Sequence, residues 1–412
     1  LKIYEQLKIM SEFVKTTAFT LAVYSNKNSA LFDQASENIV SKYGDRKDKV
    51  GIIYDDFNAN MDIVKNFKRK YKNIQTYHVA PRRTTLQMDD KKFMAKRMNG
   101  SKYVPKHYEN LEEIPKDINK NQLFYVKKRG SSGANGVQIC RLGDIPKEII
   151  NECVVQENNF KPDLFNGKRY KIRVYVVLFD GKVYINKKCW GSVATTDYKE
   201  DITGLSQDDL KKMNIIHQSP GRVWINGNQL TDNDRIFKNL TNSVVDFKNI
   251  YEDEVSRIGS EEFTILGFDY VIGSDKSVYM IEINHRSNYA HPERITREVD
   301  VPVLEDVFKL LVQGNEKDTE FTLVPDEFIL DEKEKKKMAE VEVQEVKKRI
   351  SNYKLIKMEG KEYYYVETKK KSGLLYDSED FKKYLEDEKV DLPTEIGSLS
   401  EKGGKHVFTP KN

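Results

Sequence analysis

From Phe19 onward the apolar and polar positions change period in a regular way. FTLAVYS reads as a buried strand, and ALFDQASENIVSKY as a helix with Leu31, Ala35, Ile39 and Val40 on one face. KVGIIYDD, NMDIVKNFKRKYK and IQTYHVA continue as strand, helix and strand. Apolar runs alternating with amphipathic stretches predict a parallel sheet, so residues 1–85 are expected to hold a small βαβαβ domain. No GxGxxG follows its strands, which argues against a dinucleotide site. DDKKFMAKRMN then predicts a helix, and SKYVPKHYENLEEIPKD a connection punctuated by proline. From Leu123 the pattern becomes strand-rich: LFYVKKR, GVQICR, ECVVQE, KIRVYVVLFD, KVYINKKCW, RVWING, FDYVIG and SVYMIEIN, with helices at VVDFKNIYEDEVSRIG and VPVLEDVFKLLVQ. Residues 86–314 therefore form an α+β body, which makes the whole chain α/β followed by α+β. DEKEKKKMAEVEVQEVKKR gives a charged helix or linker over 315–350. Residues 351–412 read as a small accessory module, with YKLIKM and KEYYYVET around a turn at Glu359-Gly360, and about the last ten residues are expected to be disordered.

Composition narrows the classes. Of 412 residues, 38% are hydrophobic and 11% aromatic, enough for a real core and against global disorder. Lys and Arg number 69 against 65 for Asp and Glu, a net +4, without the one-signed excess of a nucleic-acid coat. The longest apolar runs, FTLAVY and VYVVLF, fall far short of the roughly 20 residues that span a bilayer, so no membrane partner is expected. Cys140, Cys153 and Cys189 lie in apolar runs without metal spacing, which points to inert core thiols in a reducing, cytoplasmic setting. With Leu as the first residue, a true start upstream is an expectation. Oligomeric state is not legible.

Three constellations carry chemistry. In GFDYVIGSDKSVYMIEIN, Glu282 and Asn284 share one face of a strand, and a hairpin through Gly273-Ser274-Asp275 brings Asp269 opposite them. Two carboxylates and an amide oxygen are hard donors that suit Mg²⁺, an ion that keeps positions for phosphate oxygens. The plain alternative is a row of polar residues facing water. In YVKKRGSSGANGVQI a strand delivers Lys127 into a loop containing Gly130, Ser131, Ser132 and Gly133. Such a loop either cradles phosphates with its backbone N–H groups or is simply a flexible hairpin. In CVVQENNFKPDLFNGKRYKIRVYVV, Gln156, Glu157 and Asn158 end one strand, while Arg169, Lys171 and Arg173 share a face of the next. Three cations on an apolar strand either receive an anion or ward a solvated edge.

Taken in order, the lysine strand, Gly/Ser loop, Gln-Glu hinge, basic strand, FD and EIN resemble the ATP-grasp fold. IFKNLTNS, with Asn239-Leu240-Thr241-Asn242, is similar to a segment of the tubulin–tyrosine ligase-like family. The resemblance covers about residues 85 to 314 and implies an ATP-grasp body preceded by the βαβαβ domain and followed by a small C-terminal accessory region. It implies ATP and Mg²⁺ as cofactors, with Lys127 and the loop residues Gly130, Ser131, Ser132 and Gly133 on the nucleotide phosphates. Gln156, Glu157 and Asn158 would meet adenine, Thr241 and Asn242 the ribose and phosphates, and Asp269, Glu282 and Asn284 the metal. Arg173 and Lys171 are the implied catalytic residues. The family's aspartate and histidine are here Lys171 and Asn239, and Lys187 and Lys188 stand where an arginine is expected.

The implied activity is a carboxylate–amine ligase that works through an acyl phosphate, releases ADP and joins an amino acid to a protein or peptide carboxylate, such as an acidic tail like tubulin's. Two rivals stand beside it. One is a ligase for small molecules or peptides unrelated to tubulin, which free amino acids alone would stimulate. The other is a non-catalytic nucleotide-binding interaction protein, which would bind ATP–Mg²⁺ without forming ADP. His285, directly after the metal strand, is a candidate substrate contact, and KNFKRKYK and KKFMAKR are basic stretches that could attract an acidic acceptor. Asp269→Asn and Glu282→Gln are expected to stop turnover while sparing the fold.

Overall fold

Strands β1 (Thr20–Ser25), β2 (Lys49–Tyr54) and β3 (Gln75–Val79) pair in parallel, with helices Ser29–Lys42 and Met61–Lys70 between them in sequence. They are buried on both faces, as an all-parallel pairing requires, which is why they read as continuous apolar runs. The computed structural model describes residues 20–26, 28–42, 49–54, 61–71, 74–129, 136–145, 153–216, 223–285, 289, 291–332, 334–335, 353–358, 361–369, 372–386, 395–402 and 405–410. The chain divides into two units, Leu1–Ile329 and Leu330–Asn412.

One further sheet, and an extension of the parallel trio, complete the first unit's strands. Strands β4 (His107–Tyr108), β5 (Leu123–Lys128), β6 (Val137–Arg141) and β7 (Cys153–Glu157) make an antiparallel sheet in the order β4-β7-β5-β6. Strands β8 (Leu164–Phe165), β9 (Lys168–Phe179), β10 (Lys182–Val193), β11 (Val223–Asn226), β12 (Glu262–Ile272), β13 (Val278–His285) and β14 (Phe321–Leu323) join the parallel trio in a ten-stranded sheet. Its main path is β1-β2-β3-β12-β9-β10-β11, with β13 on β12. β3 touches β12 only at Glu262 and Phe263, which leaves the rest of that edge, Leu266 to Ile272, for β13.

β9 is central, flanked by β12 and β10, so its cations do not ward an open edge. On one face Tyr170, Ile172, Val174, Val176 and Leu178 meet Leu240, Val244, Val245 and Phe247 of the helix Asp234–Ile250. On the other face Tyr175, Val177 and Phe179 join a second core with the helix Val301–Gln313. Lys171 and Arg173 continue that second face beyond Tyr175, where the apolar packing gives way to charge.

β13 departs from simple alternation. Val278 and Met280 face the core, as does Ile283, so the apolar phase slips by one residue. A bulge absorbs the slip: Asp269 pairs with Glu282, but Tyr270 pairs with Met280, leaving Ile281 extra. Ile281 and Ile283 therefore do not share a buried side as alternation alone implies; without the bulge, Glu282 would share the core phase of Met280.

In the second unit, β15 (Tyr353–Met358), β16 (Lys361–Lys369), β17 (Ser372–Asp377), β18 (Glu395–Lys402) and β19 (Lys405–Pro410) form an antiparallel meander. The helix Ser378–Glu386 plants Phe381 among Tyr353, Tyr364 and Tyr376. The expectation of a disordered tail is corrected here: β19 pairs with β18 from Lys402↔Lys405 to Gly397↔Pro410. Residues 333 and 336–350 of the charged 315–350 segment, and the Glu359-Gly360 turn, lie outside the described residues.

Candidate active site

Register brings the acids and bases together. Asp269 on β12 lies directly between Arg173 on β9 and Glu282 on β13, so all three project from one face. Asp269 is fully buried and accepts from Lys171 Nζ at 2.7 Å, Arg173 Nε at 2.6 Å and Arg173 Nη2 at 2.9 Å. Burial alone would raise its pKa, but the two cations outweigh burial and hold the carboxyl well below the usual range. Burial likewise opposes the charge on Arg173, yet Asp269 keeps its pKa above the ordinary value. Glu282 stays partly exposed and takes Lys91 Nζ at 2.7 Å. Asn284 donates to the Gly267 carbonyl at 3.3 Å, which leaves its amide oxygen for another partner.

Lys127 comes from the smaller sheet. Its ammonium donates at 3.0 Å to the carbonyl of Ile281, the bulge residue, and so sits beside Glu282. Burial pushes its pKa down to about 8, with Glu282 opposing the shift. Tyr125 and Lys127 alternate onto one face of β5, and Gln156 of β7 pairs with Tyr125 and with His107. Gln156 Oε1 and His107 Nδ1 are both buried without a hydrogen-bond partner in the protein. A buried polar atom left unsatisfied costs about 1–3 kcal/mol, and a bound purine edge offers the missing donor and acceptor. Glu157, on the opposite face, accepts from the Tyr108 hydroxyl and from Asn159 Nδ2. Asn158 Oδ1 accepts from Arg169 Nη2 at 3.1 Å, and Arg169 also holds Asn214 Oδ1 at 2.5 Å, so Arg169 braces the hinge while Lys171 and Arg173 serve the acid.

Other residues fall elsewhere. Gly130, Ser131, Ser132 and Gly133 lie outside the described residues. Thr241 and Asn242 are buried in the helix Asp234–Ile250 and do not join the charged cluster. Thr241 donates to the Phe237 carbonyl, and Asn242 exchanges two hydrogen bonds with the backbone of Ile329. Asn239 donates to the Lys276 carbonyl, bracing the β12–β13 turn. Cys140, Cys153 and Cys189 are buried thiols outside any disulfide, and burial pushes Cys189 up to about 12. In the sequence, Lys91 stands out only as part of a basic stretch. Its neighbour Asp90 caps the helix Lys91–Arg97, and Asp-before-helix is the signal that fixes where Lys91 emerges.

Asp269, Glu282 and Asn284 supply two carboxylates and an amide oxygen on paired positions, a hard set that fits Mg²⁺ with phosphate oxygens completing it. Among the described residues no group of three or more His, Cys, Asp or Glu comes together, so an all-protein cage is not what the site offers. Lys91, Lys127, Lys171 and Arg173 carry four positive charges against two on Asp269 and Glu282.

A small antiparallel sheet reaching a lysine over a larger sheet that bears paired acids is the ATP-grasp arrangement. The chain belongs to the tubulin-tyrosine ligase family, whose model matches residues 56–320. Among solved structures it is similar to the C-terminal domain of K. lactis Pby1, described as an ATP-grasp enzyme interacting with the mRNA decapping enzyme Dcp2. That likeness spans 76% of this chain and 98% of the other at 13% identity and a TM-score of 0.48, too distant to assign any property here. No curated protein matches. Among the described residues no helix is long and apolar enough to cross a membrane.

Proposed function

We propose that the protein is an ATP- and Mg²⁺-dependent carboxylate–amine ligase that attaches an amino acid to a protein or peptide carboxylate. The observation that carries this reading is the charge of the buried face. Its net of two positive charges is the complement of a magnesium–triphosphate complex, which carries about two negative ones. Asp269, Glu282 and Asn284 would hold the metal, which supplies charge neutralisation of phosphate oxygens. Lys127 places a point charge on the phosphates, and Gln156 with His107 receives the base. Arg173, held by the two hydrogen bonds that it donates to one acid, orients the transferred phosphate.

In this scheme a carboxylate oxygen attacks the γ-phosphorus, the bond to ADP breaks, and an acyl phosphate forms. The amine then attacks the acyl carbon, phosphate leaves, and the amine's proton goes to solvent or phosphate. The acceptor is a protein or peptide with an exposed carboxylate, an acidic tail being the form that a basic approach would attract. A second reading, nucleotide binding without turnover, draws on one observation: both acids already hold a lysine.

The test is mass spectrometry of a cell lysate treated with protein, ATP–Mg²⁺ and isotopically labelled amino acids, with Glu282→Gln as the blank. Labelled peptides should appear with the wild type alone. Equal labelling in the blank would refute the site. ATP binding with no ADP formed from any acceptor mixture would leave the second reading standing.

A further inference from the structure

Behind Arg173 lies a line of buried polar groups that the scheme above does not use. The Arg173 guanidinium sits 5.1 Å from the ring centre of Trp190, its cross-strand partner on β10. Trp190 Nε1 donates to the Tyr175 hydroxyl at 3.1 Å, and that hydroxyl donates to Asp300 Oδ1 at 2.9 Å. His291 Nδ1 lies 2.7 Å from the second oxygen, Asp300 Oδ2. Trp190, Tyr175 and Asp300 have no exposed surface, and the His291 side chain is 3% exposed. Trp224 packs 4.9 Å from Trp190 and 5.0 Å from His291, closing the rings around the line.

Packing alone does not call for this. A buried carboxylate carries a desolvation penalty of several kcal/mol, and apolar residues of similar volume commonly match or exceed such a group in stability. What a fully satisfied polar chain adds is a single fixed geometry. The backbone makes a matching exception. Residues Thr296–Asp300 form a π-helical turn, rare in general and frequent at functional sites, that ends on Asp300 just before the helix Val301–Gln313.

We infer that His291, Asp300, Tyr175 and Trp190 form a positioning relay that fixes the Trp190 ring and, through it, the direction in which Arg173 presents its guanidinium. The inference rests on the reading of Arg173 as the group that meets the transferred phosphate. The relay touches no substrate, so its loss should appear in the rate of the phosphate step and not in nucleotide affinity.

The chain has two tryptophans, Trp190 and Trp224, both in this cluster, so fluorescence excited beyond the tyrosine absorption band reports on it alone. ATP–Mg²⁺ should shift the emission of the wild type. Tyr175→Phe and Asp300→Asn should abolish that shift and lower the ADP-release kcat by about 10–100-fold, the range for outer partners of a site. The nucleotide KM should stay within about twofold. Trp190→Phe, which keeps an aromatic face under Arg173, should retain more activity than Trp190→Leu. If Asp300→Asn does not fold, Tyr175→Phe and the Trp190 pair decide the matter. Wild-type kcat in Tyr175→Phe and Asp300→Asn, even with lowered melting temperatures, would overturn the relay and leave a structural staple. Absence of ADP release from the wild type would instead overturn the ligase reading, and the relay with it.

Discussion

Asp269→Asn removes the one anion to which Lys171 and Arg173 are tied. The acid is fully buried, its partners are 11% and 3% exposed, and three short hydrogen bonds end on its two oxygens. An asparagine retains one acceptor but no charge, so two cations remain in a site that water barely reaches. Breaking a buried pair from one side costs about 3–5 kcal/mol. Domains of 150–250 residues shift by about 2–4 °C per kcal/mol, which gives a fall in melting temperature of roughly 6–20 °C. This change is therefore expected to cost stability as well as turnover, and the partly exposed Glu282 offers the cleaner probe. The pH dependence has a definite sign. The folded pKa of Asp269 is depressed, so its stabilisation is complete above the unfolded value near about 3.9 and is lost as pH falls through the folded one. Calorimetry should show a wild-type-to-variant gap that is flat from neutral pH down to about 5 and closes below about 4. A variant that melts within a degree or two of the wild type at neutral pH would refute the burial argument.

Lys127, with a pKa lowered to about 8 chiefly by burial, is charged below that pH and neutral above it. Titration calorimetry with ATP–Mg²⁺ should find constant affinity up to about pH 8 and a loss approaching tenfold per unit beyond it, absent in Lys127→Met; flat wild-type affinity to pH 9.5 would count against the assignment. In Gly191→Ala the new Cβ would lie 2.9 Å from the Lys171 carbonyl and 2.8 Å from Ile225, so a loss of about 1–3 kcal/mol and weaker nucleotide binding are expected in melting and binding assays. Phe381→Ala removes the ring stacked 4.4 Å from Tyr364, should destabilise the second unit by about 3–5 kcal/mol, and should expose residues 353–410 to limited proteolysis.

Much of the charged face was legible because strand periodicity fixes which side chains share a side. Arg169, Lys171 and Arg173 at period two, and Asp269 across a hairpin from Glu282, are both properties of local sequence. What was not legible depends on contacts between distant segments. Nothing local says that β9 is central, and that position turns three cations from a solvated edge into a buried set. The slip from Met280 to Ile283 was visible in the apolar pattern as two phases meeting at Ile281, and it is the signal that predicts a bulge. Asn242 shows the opposite failure. Its motif marks the family, but its amide is turned toward the backbone of Ile329, a pairing over 87 positions that no spacing reveals. The helix Gln207–Asn214, with its Ser206 capping box, was missed despite a clear Ser-x-x-Asp start.

The pairing of Asn242 with Ile329 bears on where the polypeptide can be cut. The family match stops at residue 320, yet the nine residues after it are fastened to the sheet and the helix below. Val324 takes the Val183 carbonyl and offers its own to Lys248, Asp326 holds the same lysine at 2.6 Å, and Ile329 closes on Asn242. A recombinant fragment trimmed to the homology border would strip the cover from a buried amide and free a lysine. One ending a few residues past Ile329 keeps the hem sewn, and is the piece to express alone.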